Sequence, residues 1–222
     1  MNTLVIFDFD GVIVNSYKGV QVFYNQFAKE NKLIDPNILM YYEILYYEAL
    51  GQPHYIWWPR VLKMLDISLR EEVLDQLFID YWYLRIKYSK LIEGIVKVLV
   101  KLREYSALVI ICGSDDIIGL KKLRIELANV ADFFNRIIVA GEDMDDYINA
   151  VSTIMSSSAY NKVYIINDKP EVLMYIKSYF PKIKAILAQF IDYFIDTVIY
   201  KHPFQPDIIV RNPSELLKII PG

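Results

Sequence analysis

A single cysteine, Cys112, leaves the 222-residue chain with no internal disulfide to staple its fold. The two histidines, His54 and His202, are isolated in sequence, so a Cys/His zinc site is excluded on ligand count. Positive charge is not concentrated anywhere. The formal net charge is −3 and no basic run occurs, which excludes nucleic-acid recognition by a basic face. Long uninterrupted apolar runs are missing too. Residues 38–58 are broken by Glu43, Glu48 and Pro53, and residues 183–200 by Lys184, Asp192 and Asp196, so neither is expected to span a membrane. The N-terminus lacks a basic segment followed by a small-residue cleavage site. These absences lead to the expectation of a cytoplasmic protein with no membrane and no nucleic-acid partner.

What is present is apolar. Hydrophobic residues make up 55% of the chain, with 18 Tyr and 11 Phe, enough for a sizeable core. Short apolar runs recur at Thr3–Phe9, Ala107–Cys112, Arg136–Ala140, Lys162–Asn167, Ile183–Ala188 and Asp207–Val210. Continuous rather than alternating runs predict parallel strands covered on both faces. Helical stretches fall between them, among them Gly119–Leu127 and Glu171–Tyr179, the latter bounded by Pro170 and Pro181. The alternation predicts an α/β fold, a doubly wound, Rossmann-like parallel sheet. Between Ser16 and Tyr88 no strand signal occurs. Val20, Phe23, Tyr24 and Phe27 share one helical face, as do Val73, Leu74, Leu77, Phe78, Tyr81 and Trp82. The expected organisation is a core of residues 1–15 and 89–222 with an inserted all-helical domain of residues 16–88.

Sites in open α/β sheets form beyond the carboxyl ends of the strands. That rule selects Asp8 and Asp10 after the first run, Cys112, Gly113 and Ser114 after the second, and Asp168 after KVYIIN. Carboxylates converging without a local lysine are costly unless a cation joins them. Mg²⁺, which takes one or two carboxylates, waters and a substrate phosphate, is the expected ion.

The stretch DFDGV after LVIF resembles the first motif of the haloacid dehalogenase superfamily. VIICGSDD resembles its second motif and VYIINDKPEV its fourth, and the helical insert resembles a C1-type cap, as in phosphoglycolate-phosphatase-like members. The resemblance implies phosphoryl transfer from a small phosphorylated metabolite. Asp8 would be the nucleophile. Asp10 would protonate the leaving oxygen and then deprotonate water. Asp8, the main-chain carbonyl of Asp10 and Asp168 would hold Mg²⁺.

Departures from the family pattern frame the remaining expectations. Cys112 stands where a phosphate-binding Ser or Thr is usual, with Ser114 the next hydroxyl. Gly113 and Ser114 are expected to offer N–H groups at a helix start. The alternative makes Cys112 a packing residue and Ser114, Asp115 or Asp116 an N-cap. The third-motif lysine is absent. Its region carries Glu142, Asp143, Asp145 and Asp146, read as a solvated loop and helix N-terminus, and Lys169 or a lysine of the cap is the expected substitute. In the fourth motif Asn167 replaces the usual Gly or Asp, and Glu171 is read as an acid of the first helical turn. GQPHYIWWPR, residues 51–60, is read as a loop between cap helices. Arg60 either binds a second anionic group of the substrate or is solvated, and the Trp pair packs the cap. Three functions are compatible with these residues: a Mg²⁺-dependent phosphatase, a non-catalytic binding protein of the same fold, and a phosphomutase. Either a monomer or a homodimer suits the aromatic surplus.

Overall fold

The computed structural model describes residues 2–32, 35–67, 70–157, 160–191 and 204–221; Asp192, Asp196 and His202 lie outside them. Along the chain come β1 (Thr3–Phe7), β2 (Val14–Asn15), α1 (Tyr17–Glu30), α2 (Asn37–Tyr42), a π-helical segment (Glu43–Ala49), α3 (His54–Met64) and α4 (Glu71–Lys87). They are followed by β3 (Lys90–Leu91), α5 (Ile95–Arg103), β4 (Ala107–Gly113), α6 (Leu120–Leu127), β5 (Arg136–Ala140) and α7 (Tyr147–Ser157). The chain closes with β6 (Lys162–Asn167), α8 (Pro170–Tyr179), β7 (Lys184–Ala188), β8 (Ile208–Val210) and α9 (Leu216–Ile219). Two compact units result. One takes the described residues up to Asn15 and from Lys90 onward, the other Ser16–Ser89.

The first unit is a six-stranded sheet in the order β5-β4-β1-β6-β7-β8, with every pairing parallel. β1 is buried at all five positions because successive side chains serve opposite faces that are both covered. Val5 and Phe7 join Leu99, Leu102, Ile125 and Leu216 on one face. Leu4 and Ile6 join Ala150, Val151, Ile154, Leu173 and Ile176 on the other. α5, α6 and α9 therefore cover one side, and α7 and α8 the second. The chain leaves the sheet through β2 and returns through β3, and these two pair antiparallel. β1 lies between β4 and β6, the point where the winding reverses and a crevice opens at the carboxyl ends.

The second unit is helical. α1 buries Tyr17, Gly19, Val20, Phe23, Tyr24, Phe27 and Ala28. α1 and α4 touch backbone to backbone, since a Cβ on Gly19 would overlap the Leu84 carbonyl and lie 2.5 Å from Arg85 Cα. Residues 54–60 are not a loop, in contrast to the expectation. They open α3, with Pro53 extended (ψ 148°) just before it. His54, Trp57, Trp58, Val61 and Leu62 form its buried stripe, while Tyr55, Ile56, Pro59 and Arg60 face outward. Pro59 deprives the Tyr55 carbonyl of its helical donor, and on this exposed side water can replace it.

The centre of this unit is a buried polar network around Glu43. Tyr24 Oη donates to Glu43 Oε2 at 2.5 Å and accepts from Trp58 Nε1 at 3.1 Å. Tyr81 Oη donates to Glu43 Oε1 and accepts from Arg85 Nη1, both at 2.6 Å. His54 Nε2 lies 2.8 Å from Glu43 Oε2. Arg85 also reaches Glu48 at 3.0 Å and packs against the rings of Tyr17, Tyr47, Tyr81 and Trp82. A charge this deep is tolerated because nearly every polar partner is itself satisfied.

Candidate active site

At the end of β1 the ladder continues one bond further, with the Asp8 N–H donating to the Ile166 carbonyl at 3.0 Å. The Asp8 carboxylate is oriented by three donors. Its Oδ1 accepts from the Phe9 N–H at 2.8 Å and the Tyr147 hydroxyl at 3.1 Å, and its Oδ2 accepts from Asn167 Nδ2 at 3.0 Å. Burial pushes the Asp8 carboxyl up to about 6, against the lowering effect of Lys169, the Phe9 N–H and Lys121. Burial, with Asp8 adding to it, holds the Tyr147 phenol well above its ordinary range, so it remains a donor. Asn167 is fixed in turn, its Oδ1 accepting from the Lys169 N–H at 2.8 Å.

The chain then turns. Gly11 adopts φ +77°, and its N–H donates to the Val14 carbonyl at 2.8 Å. A side chain on Gly11 would overlap the Asp168 carboxylate. Glycine here lets the acid at the end of β6 lie against the backbone just after Asp10.

Asp10 enters a buried ionic cluster that local sequence does not announce. Lys121 Nζ donates to Asp10 Oδ2 at 2.5 Å and lies 2.8 Å from Asp115 Oδ1. Arg124 Nη1 reaches Asp115 Oδ2 at 2.9 Å and Asp10 Oδ2 at 3.2 Å, and its Nη2 grips Asp10 Oδ1. The guanidinium also lies 5.5 Å from the Phe9 ring centroid. All four side chains are buried. Burial alone would lower the Lys121 pKa, but Asp10 and Asp115 outweigh it and raise it. Its two cations come from the first turns of α6, where Lys121 and Arg124 share a face at i, i+3.

Other residues singled out in the sequence fall as follows. Cys112 is buried, and burial raises its thiol well above the usual range. Gly113 ends β4 rather than opening a helix, and the Ser114 N–H is engaged with the Ala140 carbonyl at 2.9 Å. Gly113 and Ser114 therefore do not stand at a helix start: α6 begins after Gly119. Asp115 is an ion-pair partner and not an N-cap. The Ser114 hydroxyl remains exposed, beside Gly141, whose missing Cβ would lie 2.7 Å from Oγ. Three of the four acids of 142–146 have partners. Glu142 accepts from the Gly119 N–H, Asp143 pairs with Lys122, and Asp146 Oδ1 accepts from the Asn149 N–H at 2.8 Å, an N-cap bond for α7. Glu171 stands in the first turn of α8. Arg60 belongs to the helical unit and is exposed, while Trp57 and Trp58 are buried there.

Among the described residues no group of three or more His, Cys, Asp or Glu side chains is arranged to hold a metal ion. Were Mg²⁺ held here, its oxygen donors would be the Asp8 carboxylate, the Asp10 main-chain carbonyl and the Asp168 carboxylate, which lies against Gly11. Two carboxylates and a carbonyl form a hard, all-oxygen set of the kind Mg²⁺ accepts, with water completing the shell. No helix among the described residues is long and apolar enough to cross a membrane.

Residues 3–176 match the haloacid dehalogenase-like hydrolase family. No curated protein matches the sequence. Among solved structures, a predicted phosphoglycolate phosphatase from Haemophilus somnus aligns with TM-score 0.71 at 15% identity, covering 98% of this chain and 97% of that one. A haloacid dehalogenase-like family protein from Streptococcus pneumoniae aligns with TM-score 0.66 at 16% identity, covering 99% and 98%. The hydrolase YfnB from Bacillus subtilis, solved bound to magnesium, aligns with TM-score 0.61 at 13% identity, covering 99% of each chain. At these identities the likeness is one of fold.

Proposed function

This chain belongs to the haloacid dehalogenase-like hydrolase family, and from that premise we propose that it is a Mg²⁺-dependent phosphatase of a small phosphorylated metabolite, in the phosphoglycolate-phosphatase-like branch. The observation that carries the reading is the Asp8 carboxylate, oriented by Phe9, Tyr147 and Asn167 at the winding reversal of the sheet. In the reading, an Asp8 oxygen attacks phosphorus in line, the ester oxygen leaves with a proton from Asp10, and an aspartyl-phosphate forms. Water then attacks that phosphorus, Asp10 takes the water's proton, and inorganic phosphate departs as the Asp8 carboxylate is regenerated. Mg²⁺ held by Asp8, the Asp10 carbonyl and Asp168 would neutralise charge on the phosphoryl oxygens. The Ser114 hydroxyl, beside Cys112 and Gly113, is the reading's side-chain donor to phosphate. The helical unit is read as the cap, and the exposed Arg60 as its contact to a second anionic group. A cytoplasmic monomer or homodimer completes the reading.

A second reading, a binding protein without turnover, is favoured by the clamp on Asp10. Lys121 and Arg124 engage both oxygens of that carboxylate, which opposes its turning to a leaving oxygen or a water. Phosphate release from a panel of monoesters, with phenolic to alkyl leaving groups, decides between the two. Wild type with Mg²⁺ is expected to turn over at least part of the panel, and Asp8→Asn or chelated enzyme none. Wild type no faster than Asp8→Asn across the panel would leave the binding reading.

A further inference from the structure

Four carboxylates, Asp8, Asp10, Asp115 and Asp168, follow three neighbouring strands of the core, and a phosphate arriving there brings further negative charge. The N-terminus of α7 offers no cation to it. The residue it directs at Asp8 is Tyr147, a neutral donor. Positive charge comes from Lys169, just after β6, whose field on Asp8 is the stronger, and from α6, one β–α unit earlier in the chain than α7. Lys121 is 5% exposed, and its field acts on Asp8, Asp10, Cys112 and Asp115 together. Its ammonium thus sits among the ends of β1 and β4. Two of its three N–H donors are accounted for by Asp10 and Asp115, which leaves one for an incoming anion. Arg124 differs: its guanidinium is spread across both carboxylates and held over Phe9.

We propose that Lys121 is a cation that binds the transferred phosphoryl group, alongside the field of Lys169, with Arg124 and Asp115 as positioning residues that hold its ammonium at the strand ends. This assignment rests on the phosphatase reading for its catalytic part and on the geometry of the cluster for its binding part. Lys121 and Tyr147 then form a complementary pair: the charge sits on α6 because the neutral group occupies α7. A cation placed at 147 should compensate for one removed at 121.

The test separates binding from turnover. In an Asp8→Asn background with Mg²⁺, calorimetry measures the affinity for inorganic phosphate. Lys121→Met is expected to weaken it about tenfold or more, as loss of a charge-assisted contact. In the otherwise wild-type chain the same substitution is expected to lower kcat/KM by about 10²–10³-fold. Tyr147→Lys added to Lys121→Met should recover about tenfold of that loss. Lys121→Met/Asp115→Asn removes opposite charges together and leaves the Asp10–Arg124 pair, so it serves where the single variant does not fold. Wild-type phosphate affinity in either variant overturns the proposal. A wild type that hydrolyses nothing, yet binds phosphate through Lys121, overturns the phosphatase reading and keeps the binding assignment.

Discussion

Glu43→Ala is the sharpest probe of how the helical unit is held. The carboxylate accepts from Tyr24 at 2.5 Å, Tyr81 at 2.6 Å and His54 at 2.8 Å, with Arg85 Nη1 3.8 Å away. Hydrogen bonds to a charged group contribute about 1.5–3 kcal/mol each, but members of one network are not additive. Removing one partner of a buried ionic network costs about 3–5 kcal/mol, because the cation and donors left behind stay desolvated. Against a total stability of about 5–15 kcal/mol, that is a large share of what keeps a domain folded. Glu43→Gln keeps the volume and one acceptor, so about 1–3 kcal/mol is expected. The assay is urea unfolding followed by tryptophan fluorescence. All three tryptophans, Trp57, Trp58 and Trp82, are buried in this unit, so the signal reports it selectively. The pH dependence has a defined sign. Burial would raise the Glu43 carboxyl, but His54 and Arg85 outweigh it and hold it below the ordinary value of 4.5. A depressed carboxyl contributes stability that is complete above 4.5 and is lost as pH falls through its lowered value. Wild type and Glu43→Gln should therefore converge in acid. A loss below about 1 kcal/mol for Glu43→Ala, the scale of an exposed ion pair, would refute the network as the organiser of this unit.

Gly19→Ala should cost about 1–3 kcal/mol by forcing α1 away from α4, read by the same urea titration. Gly11→Ala must both accommodate φ +77° and displace Asp168. It is expected to abolish Mg²⁺-dependent phosphate release and to lower the thermal midpoint, and retained activity would contradict the placement of Asp168 against Gly11. Tyr147→Phe removes one hydrogen bond from Asp8 while keeping the ring. Its kcat should fall about tenfold with KM unchanged, the equivalent of one hydrogen bond worth about 1.4 kcal/mol, and steady-state kinetics check the split.

The strands were legible because β1, β4 and β6 are covered on both faces and so read as unbroken apolar runs. Asp8, Asp10 and Asp168 were legible because a strand end fixes where a residue lies without knowledge of its neighbours. The cationic side was not. Lys121 and Arg124 look like ordinary charges in LKKLRIEL, and their partners at 10 and 115 are brought to them only by the winding of the sheet. The resemblance of VIICGSDD to the second motif puts Ser114 at a helix start, whereas β4 runs on through Gly113 and α6 begins after Gly119. Gly51, Pro53 and Pro59 make residues 51–60 read as a loop, yet His54 onward is α3. The stripe His54, Trp57, Trp58, Val61 and Leu62 carried the helical period all along, and one exposed proline did not break it.

The central claim is that Asp8 carries the phosphoryl group. Rapid acid quench of the enzyme during turnover of a monoester with Mg²⁺, followed by peptide mass spectrometry, tests it most directly. A mass increase of one phosphoryl group is expected on the peptide that contains Asp8, absent without Mg²⁺ and absent in Asp8→Asn. Sustained phosphate release with no phosphorylated Asp8 at any quench time, or with undiminished rate in Asp8→Asn, would contradict it.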